Sequence, residues 1–411
     1  MDNIQLYSSK IDCCGCGACM NVCPKHAISM EEDEYGFLYP QINHEICIRC
    51  GQCKKVCGYQ KKEPLLLPYE VYAAKASQTD VLSNAASGGI FGSISAEILK
   101  EQGVVYGCAF EHREDSLVAV HIRVDNFEDL AKLQGSKYVQ SDMGIVFRQI
   151  REDLLKDKTV LFSGTPCQVD AVKHYINNCR VNHGCLYTVD IICHGVPNAH
   201  FFKDYMSSLS KKLNGRITDF KFRDKTNGWG LKAGVYYIDR RKKEKKKLLP
   251  VQLSSYYSIF LKSYSYRENC YSCKYAGRDR VGDITIGDYW GIEKVHPEYL
   301  KENGGNLTPE TGISCLLVNT DNGKELIHNF GRNLVLYSST LENAAFQNEQ
   351  LNAPCKESDE RNAVLELYRT GSYTAVEKWY SKLIGAKKYV YWLWNSLPRS
   401  LQLLLKRALP L

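Results

Sequence analysis

Two runs of cysteines constrain this chain more than anything else in it. Cys13, Cys16, Cys19 and Cys23 stand at the spacing C-x2-C-x2-C-x3-C, with Pro24 after the fourth. Cys47, Cys50, Cys53 and Cys57 repeat the spacing, with Gly58 where the first run has its proline. Thiolates three residues apart on a tight loop reach successive corners of one iron–sulfur cube. The fourth Cys of each run, carried away on a short helix, then ligates the other cluster. The spacing therefore predicts two [4Fe-4S] clusters. Cys13, Cys16, Cys19 and Cys57 would hold one, and Cys47, Cys50, Cys53 and Cys23 the other. C-x2-C pairs also bind zinc, but two such runs with Pro24 favour iron–sulfur. A disulfide framework suits neither this spacing nor a start, MDNIQLYSSKIDCC, without a secretory pattern. Cys14 is left without a role.

Residues 8–62 resemble the two-cluster module of bacterial ferredoxins. Such a module passes single electrons, so the remaining residues must say where the electrons go. A chain of 411 residues is long enough for two to four domains, including a large α/β unit. It has no run of eighteen apolar residues to span a membrane. Eighteen cysteines without a signal pattern predict thiolate metal sites in a reducing cytoplasm. The net charge of +7 is unevenly placed: residues 211–250 hold fourteen Lys and Arg against four acids, and residues 385–411 hold five against none.

Residues 58–69 carry two prolines and read as a linker. EVYAAKAS then has the alternation of a strand. In SNAASGGIFGSISAEILKEQG, Ser87, Gly88 and Gly89 open an amphipathic helix that Gly103 ends. Free N–H groups at such a start can hold a phosphate, although a tight turn into a helix is the plainer reading. VVYGCAF and LVAVHIRV are strands, and residues 127–155 are helical at both ends, with Lys137 and Tyr138 between. KTVLFSGTPCQVDAVKHYI is a buried strand, a turn through Gly164 and Thr165, and a helix with Pro166 in its first turn. LYTVDIICHGVPN repeats the plan and ends at Cys193 and His194. Ligands in open α/β sheets sit at the carboxyl ends of strands, so Cys167 and Cys193 point to a shared site.

A helix over 201–213 precedes a β-rich stretch whose basic run, RRKKEKKK, is expected at a hairpin tip. Without interleaved aromatics it suggests an acidic protein partner rather than nucleic acid. Cys270 and Cys273 form another C-x2-C pair, before the strand DITIGDYWG. With Cys167 and Cys193 they make four thiols, suited to a third [4Fe-4S] cluster, to a structural zinc, or to only two of the four acting together. GISCLLVNTDNGKELIHNF reads as a strand, turn and helix at an edge of the same sheet. Past residue 340 the chain turns helical. Its basic, aromatic end, residues 385–411, suits either a membrane interface or docking on the protein's own core.

SGTPCQ, CHGVP, CYSCKYAG and GDITIGDYWG stand in the order seen in the coenzyme F420 hydrogenase/dehydrogenase beta-subunit family, which residues 8–320 resemble. The resemblance implies FAD in the central α/β region, fed by iron–sulfur clusters, and favours a third cluster at Cys167, Cys193, Cys270 and Cys273. SNAASGGI and GSKYVQS match stretches near the flavin, which places Ser87, Gly88, Gly89, Lys137 and Tyr138 there; Gly164 and Thr165, in SGTPCQ, are further cofactor-binding candidates. The basic hairpin and the helical tail depart from the core pattern. Chains with such tails resemble those of bacteria that make surface polysaccharides, so F420 itself is not carried over as the substrate.

The expected architecture is mixed, α/β with α+β character. A two-cluster ferredoxin domain (1–62) leads to a beta-subunit N-terminal-type domain (63–155). A C-terminal-type domain with the third cluster (156–335) and a helical, basic-aromatic tail (336–411) follow. The expected function is an iron–sulfur flavoprotein oxidoreductase that moves electrons from a ferredoxin-like donor to a small organic substrate. It would be cytoplasmic, with peripheral contact at the inner face of the membrane through residues 385–411. His194 and Asp288 are the candidate proton donors. A non-catalytic relay subunit, or a true F420 oxidoreductase subunit, is the alternative.

Overall fold

The computed structural model describes residues 4–61, 64–113 and 116–397, together with Leu401. Near the N-terminus, β1 (Ile28–Glu32) and β2 (Leu38–Ile42) pair antiparallel, with Ile28 opposite Ile42. Two short helices flank this ribbon, Ala18–Val22 and Gln52–Lys55. Each is entered through a left-handed glycine, Gly17 at φ 78° and Gly51 at φ 72°, a conformation that glycine adopts without steric cost. These glycines let the chain turn sharply after Cys16 and Cys50, so that Cys19 and Cys53 ride on the helices behind them.

The remaining strands are β3 (Glu70–Ala76), β4 (Val104–Arg113), β5 (Ser116–Val124), β6 (Val160–Gly164), β7 (Leu186–Ile191), β8 (Gly215–Lys221), β9 (Lys232–Asp239), β10 (Glu244–Pro250), β11 (Ile284–Asp288), β12 (Ser314–Val318) and β13 (Leu334–Ser339). Eight of them form one mixed sheet in the order β13-β3-β12-β11-β7-β6-β4-β5. Its centre, β4, β6, β7 and β11, is parallel. β5 pairs antiparallel with β4, and β12, β3 and β13 continue antiparallel on the other side.

Alternate residues of the parallel strands enter two separate cores, as the two-residue period of a strand requires. Val105, Leu161, Tyr187 and Val189 pack with Ile94, Ile98, Leu326 and Phe330. Val104, Tyr106, Val160, Phe162 and Leu186 pack instead with Phe147, Ile150, Val172 and Ile176. Helices therefore cover both faces, which explains why these strands read as unbroken apolar runs. The carboxyl ends of β6, β7 and β11 emerge along one edge.

β8, β9 and β10 form a separate antiparallel sheet. Its core is aromatic and includes Phe220 and Phe222 with Phe201, Phe202, Tyr205 and Tyr256 from nearby helices.

Two expectations need correction. The strand in GISCLLV is not at an edge: β12 lies between β3 and β11, and all five of its residues are buried. Burial on both faces is the mark of an interior strand, and the edge belongs to the half-buried β13. The basic run is only half a hairpin tip. Residues 240–243 make the turn, whereas Glu244–Lys247 belong to β10. Lys246 reaches back to Asp224 at 2.8 Å and lies over the Tyr236 ring at 5.0 Å.

The C-terminal region is helical. Asp359–Ile384 is broken by a kink at Ser372, where φ is 61°, and Lys387–Ser396 follows. Tyr389, Val390, Trp392 and Leu393 in the latter are exposed. Of the expected membrane-contact segment, residues 398–400 and 402–411 lie outside the described residues. Among the described residues no helix is long and apolar enough to cross a membrane.

Candidate functional site

Cys13, Cys16, Cys19 and Cys57 lie near one another, and Cys23, Cys47, Cys50 and Cys53 lie together elsewhere. Burial, then Cys16, Cys13 and Cys57, push the Cys19 thiol well above its ordinary pKa. Burial, with Cys16 and Cys13, pushes Cys57 up to about 11. Thiols influence one another this way only at close range. In the other set, Cys23, Cys47, Cys50 and Cys53 line one small cavity with Ile28, Ile42 and Ile48. The Ala27 N–H donates to the Cys23 sulfur at 3.3 Å, a bond that would support a ligating thiolate. Cys50 is exposed, beside exposed Ile46 and Ile48.

Cys167 follows β6, on the first turn of the helix Pro166–Asn178. Cys193 follows β7, and Cys270 and Cys273 lie on and just after the turn Glu268–Ser272. Burial drives the Cys193 thiol far up in pKa, with further pushes from Cys270, Cys167 and Cys273. Burial and Cys167 hold Cys273 up to about 11. Gly195, at φ 128°, closes the Cys193 loop against Tyr266, where any β-carbon would come within 2.4 Å of the ring. Among the described residues, no three His, Cys, Asp or Glu side chains draw together into the shell of a single metal ion.

A buried ion pair fixes this third group to the sheet. Arg280 donates to Asp190 of β7 at 2.7 Å, to the Tyr275 carbonyl at 3.0 Å and to Thr285 of β11 at 3.1 Å. The other Asp190 oxygen accepts from the Gly282 N–H at 2.7 Å. Cys14, for which sequence spacing offered no role, lies between the groups. Its thiol interacts with Cys16 on one side and Cys167 on the other, so that it is held protonated while both neighbours shift toward thiolate.

A cavity of about 260 Å³ opens at the carboxyl ends of β6, β7 and β11. Ser87, Gly89, Lys137, Tyr138, Gly164 and Thr165 line it, and Cys193, His194 and Asp288 complete its wall. Gly88 sits just behind, its N–H donating to the Ser314 hydroxyl at 2.9 Å. A second cavity, of about 720 Å³, shares Gln134, Gly135, Ser136 and Lys137 with the first. Together they offer the room of ordinary cofactor sites, which is roughly 300–1,000 Å³.

Charge in this region is arranged by residues that the motifs did not single out. The Lys137 ammonium donates to the carbonyls of Lys132, Gln134 and Gly135, and burial lowers its pKa to about 8. Lys225 does the same for Leu82, Ser87 and Thr311, its pKa brought to about 8 by burial and by Arg223. Arg223 is buried and lies against Trp229 and Trp290, whose rings also touch each other at 4.8 Å. It binds Asp288, whose Oδ1 also accepts from Trp229 Nε1 at 3.2 Å. Tyr138 stacks on Phe260 at 4.5 Å. His194 lines the cavity and keeps an exposed surface, and desolvation of its ring lowers its pKa. His121 bridges Ser141 and the Ser163 carbonyl; burial takes its pKa down to about 4, so it is neutral. No spacing in the sequence marks Arg223, Lys225 or His121, because their partners Asp288, Leu82, Ser87, Thr311, Ser141 and Ser163 lie far from them in sequence.

Residues 12–61 match the 4Fe-4S dicluster domain family. Residues 71–147 and 157–344 match, respectively, the N-terminal and C-terminal parts of the family described as coenzyme F420 hydrogenase/dehydrogenase, beta subunit. An uncharacterized protein of Methanocaldococcus jannaschii is 26% identical over 196 residues, 40% of this chain and 53% of the relative. A subunit of the F(420)H(2) dehydrogenase of Methanosarcina mazei is 22% identical over 192 residues, 44% of this chain and 53% of the relative. The chain thus spans about half the length of the curated relatives it matches. A chain of the F420-reducing [NiFe] hydrogenase complex from Methanosarcina barkeri superposes with a TM-score of 0.42 at 16% identity, covering 76% of this chain and 96% of that one. With both halves of the beta-subunit pattern in order behind a dicluster domain, the chain belongs to the coenzyme F420 hydrogenase/dehydrogenase beta-subunit family as an iron–sulfur member.

Proposed function

We propose that this chain is an iron–sulfur flavoprotein oxidoreductase. It takes single electrons from a ferredoxin-like donor and passes them by way of three [4Fe-4S] clusters and FAD to a small organic substrate. The observation that carries this reading is a shared wall: Cys193 belongs both to the third thiol group and to the cavity lined by Ser87, Gly89, Lys137, Tyr138, Gly164 and Thr165. When bound, the clusters supply one-electron steps and the flavin couples them to two-electron chemistry on the substrate.

The protein's own groups have separate tasks in this scheme. Cys13, Cys16, Cys19 and Cys57 hold the inner cluster of the ferredoxin unit, and Cys23, Cys47, Cys50 and Cys53 the outer one. Cys167, Cys193, Cys270 and Cys273 hold the third. Exposed Cys50, with Ile46 and Ile48 beside it, marks the entry face. The basic turn between β9 and β10 offers an acidic donor a complementary charge. Ser87 and Gly89 would line the flavin site with Gly88 behind them, and the Lys137 ammonium would place positive charge where a pyrophosphate could be held. Neutral His194 moves a proton at the cavity, whereas Asp288 orients Arg223. Residues 1–62 are then the electron-entry unit, and 63–155 with 156–335 the catalytic unit. Residues 336–411 form a tail that touches lipid through Tyr389, Val390, Trp392 and Leu393.

The test is a cofactor count on chain purified without oxygen. About twelve irons with matching sulfide and one flavin support the proposal. About eight irons without flavin would make the chain a relay subunit whose chemistry lies in a partner.

A further inference from the structure

Arg267 is fully buried and lies between two of the thiol groups. Its backbone N–H donates to Val196, on the Cys193 loop, at 2.9 Å, and its carbonyl accepts from the Cys270 N–H at 3.0 Å. Its side chain turns the other way. Nε donates to the Cys13 carbonyl at 3.1 Å, and Nη1 donates to Gln140 at a long 3.5 Å. The guanidinium lies 4.0 Å from the centre of the Tyr39 ring. Every hydrogen-bond partner it has among the described residues is neutral, and Nη2 has none.

A buried cation without a counter-charge is costly, and an orphaned guanidinium nitrogen calls for an explanation. Ion-pair partners for the other buried arginines are at hand: Asp288 for Arg223, Asp190 for Arg280 and Glu357 for Arg361. The groups facing Arg267 are thiols instead. Its charge acts on Cys13 and, more weakly, on Cys167 and Cys270.

We propose that Arg267 is the internal counter-charge of the cluster held by Cys13, Cys16, Cys19 and Cys57, and that it raises that cluster's reduction potential. The inference rests on the ligand assignment proposed above. Four thiolates give a cubane a net negative charge, and net charge is one of the quantities that set its potential. A fixed cation against it stabilises the reduced form, which carries the additional electron. Arg267 is thus a positioning residue that makes the inner cluster a better electron acceptor than the solvent-facing one. It also ties the loop of Cys13 to the loops of Cys193 and Cys270, across which the electron must pass.

The experiment is a dithionite titration of the full chain, purified without oxygen and followed by electron paramagnetic resonance at poised potentials. Iron and sulfide are counted in every sample. Arg267→Gln removes the charge. Gln140→Glu leaves Arg267 in place but sets a carboxylate beside its Nη1, cancelling the charge from outside. Both variants should retain full iron and shift one cluster to a more negative potential, while Arg267→Lys restores most of the shift. If Arg267→Gln alone loses iron, a negative shift in Gln140→Glu still supports the proposal. Unchanged potentials in iron-replete variants would overturn it. So would loss of iron from both, which would make Arg267 a scaffold for the ligand loops. Wild-type chain without these clusters would instead sink the ligand assignment itself.

Discussion

Arg223 grips both oxygens of Asp288, at 2.6 and 3.3 Å, against the rings of Trp229 and Trp290. Removing one partner leaves the other charge buried and unpaired. Asp288→Leu or Arg223→Met should each destabilise the fold by roughly 3–5 kcal/mol. The double variant should lose clearly less than the sum, a coupling that chemical denaturation of all four proteins would expose. Strict additivity would mean that the pair does not act as a unit.

The crossed thiol sets make a specific forecast for iron content. Cys23→Ser should strip the cluster of Cys47, Cys50 and Cys53, although Cys23 lies in the other run. Cys193→Ser should take iron from about twelve to about eight per chain and disturb flavin absorbance as well, because Cys193 shares the cavity wall. Cys185, exposed and remote from the three sets, is the control: Cys185→Ala should leave iron unchanged.

His121 gives the fold an acid-side weakness. Burial holds its folded pKa near 4, against about 6.5 in an unfolded chain. As pH falls, the unfolded state takes up the proton first. The stability that neutral His121 contributes is therefore complete above pH ~6.5 and lost progressively toward pH ~4, by about 3 kcal/mol at most. Thermal unfolding at pH 7 and pH 5 should show a smaller drop for His121→Gln than for wild type. An equal drop would assign the acid sensitivity elsewhere.

The exposed aromatic face of the Lys387–Ser396 helix predicts binding to anionic lipid. Full-length chain should co-sediment with phosphatidylglycerol vesicles and should do so several-fold less after Trp392→Ser with Leu393→Ser. Equal recovery in the supernatant for both proteins would remove lipid contact from the proposal.

The fold was legible where pattern is local. The strand-to-turn-to-helix units around Gly164 and Cys193 follow from an apolar run, small turn residues and Pro166 at a helix start. Gly164 and Thr165 were legible at the end of a strand, whereas Ser87, Gly89, Lys137 and Tyr138 came only from the family resemblance of their stretches. What stayed hidden depends on partners distant in sequence. β12 lies inside the sheet rather than at its edge because neighbours within a sheet are set by topology, not by the strand's own residues. Lys246 looked like part of a solvated charge run because nothing local announces Asp224. Arg223, Lys225 and Arg267 are ordinary basic residues until the fold removes water from around them.

The placement of β3 between β12 and β13 has a consequence for biogenesis. The first strand-forming segment to leave the ribosome after the cysteine-rich ribbon cannot find either sheet neighbour until residues 314–339 have been made. The eight proposed ligand cysteines of residues 13–57, by contrast, are all available once residue 57 has emerged. On the proposed ligand assignment, cluster insertion there could precede closure of the sheet, while the group containing Cys167, Cys193, Cys270 and Cys273 would wait for it. Such a chain would acquire its metal in two stages, with long-range strand pairing as the slow step between them.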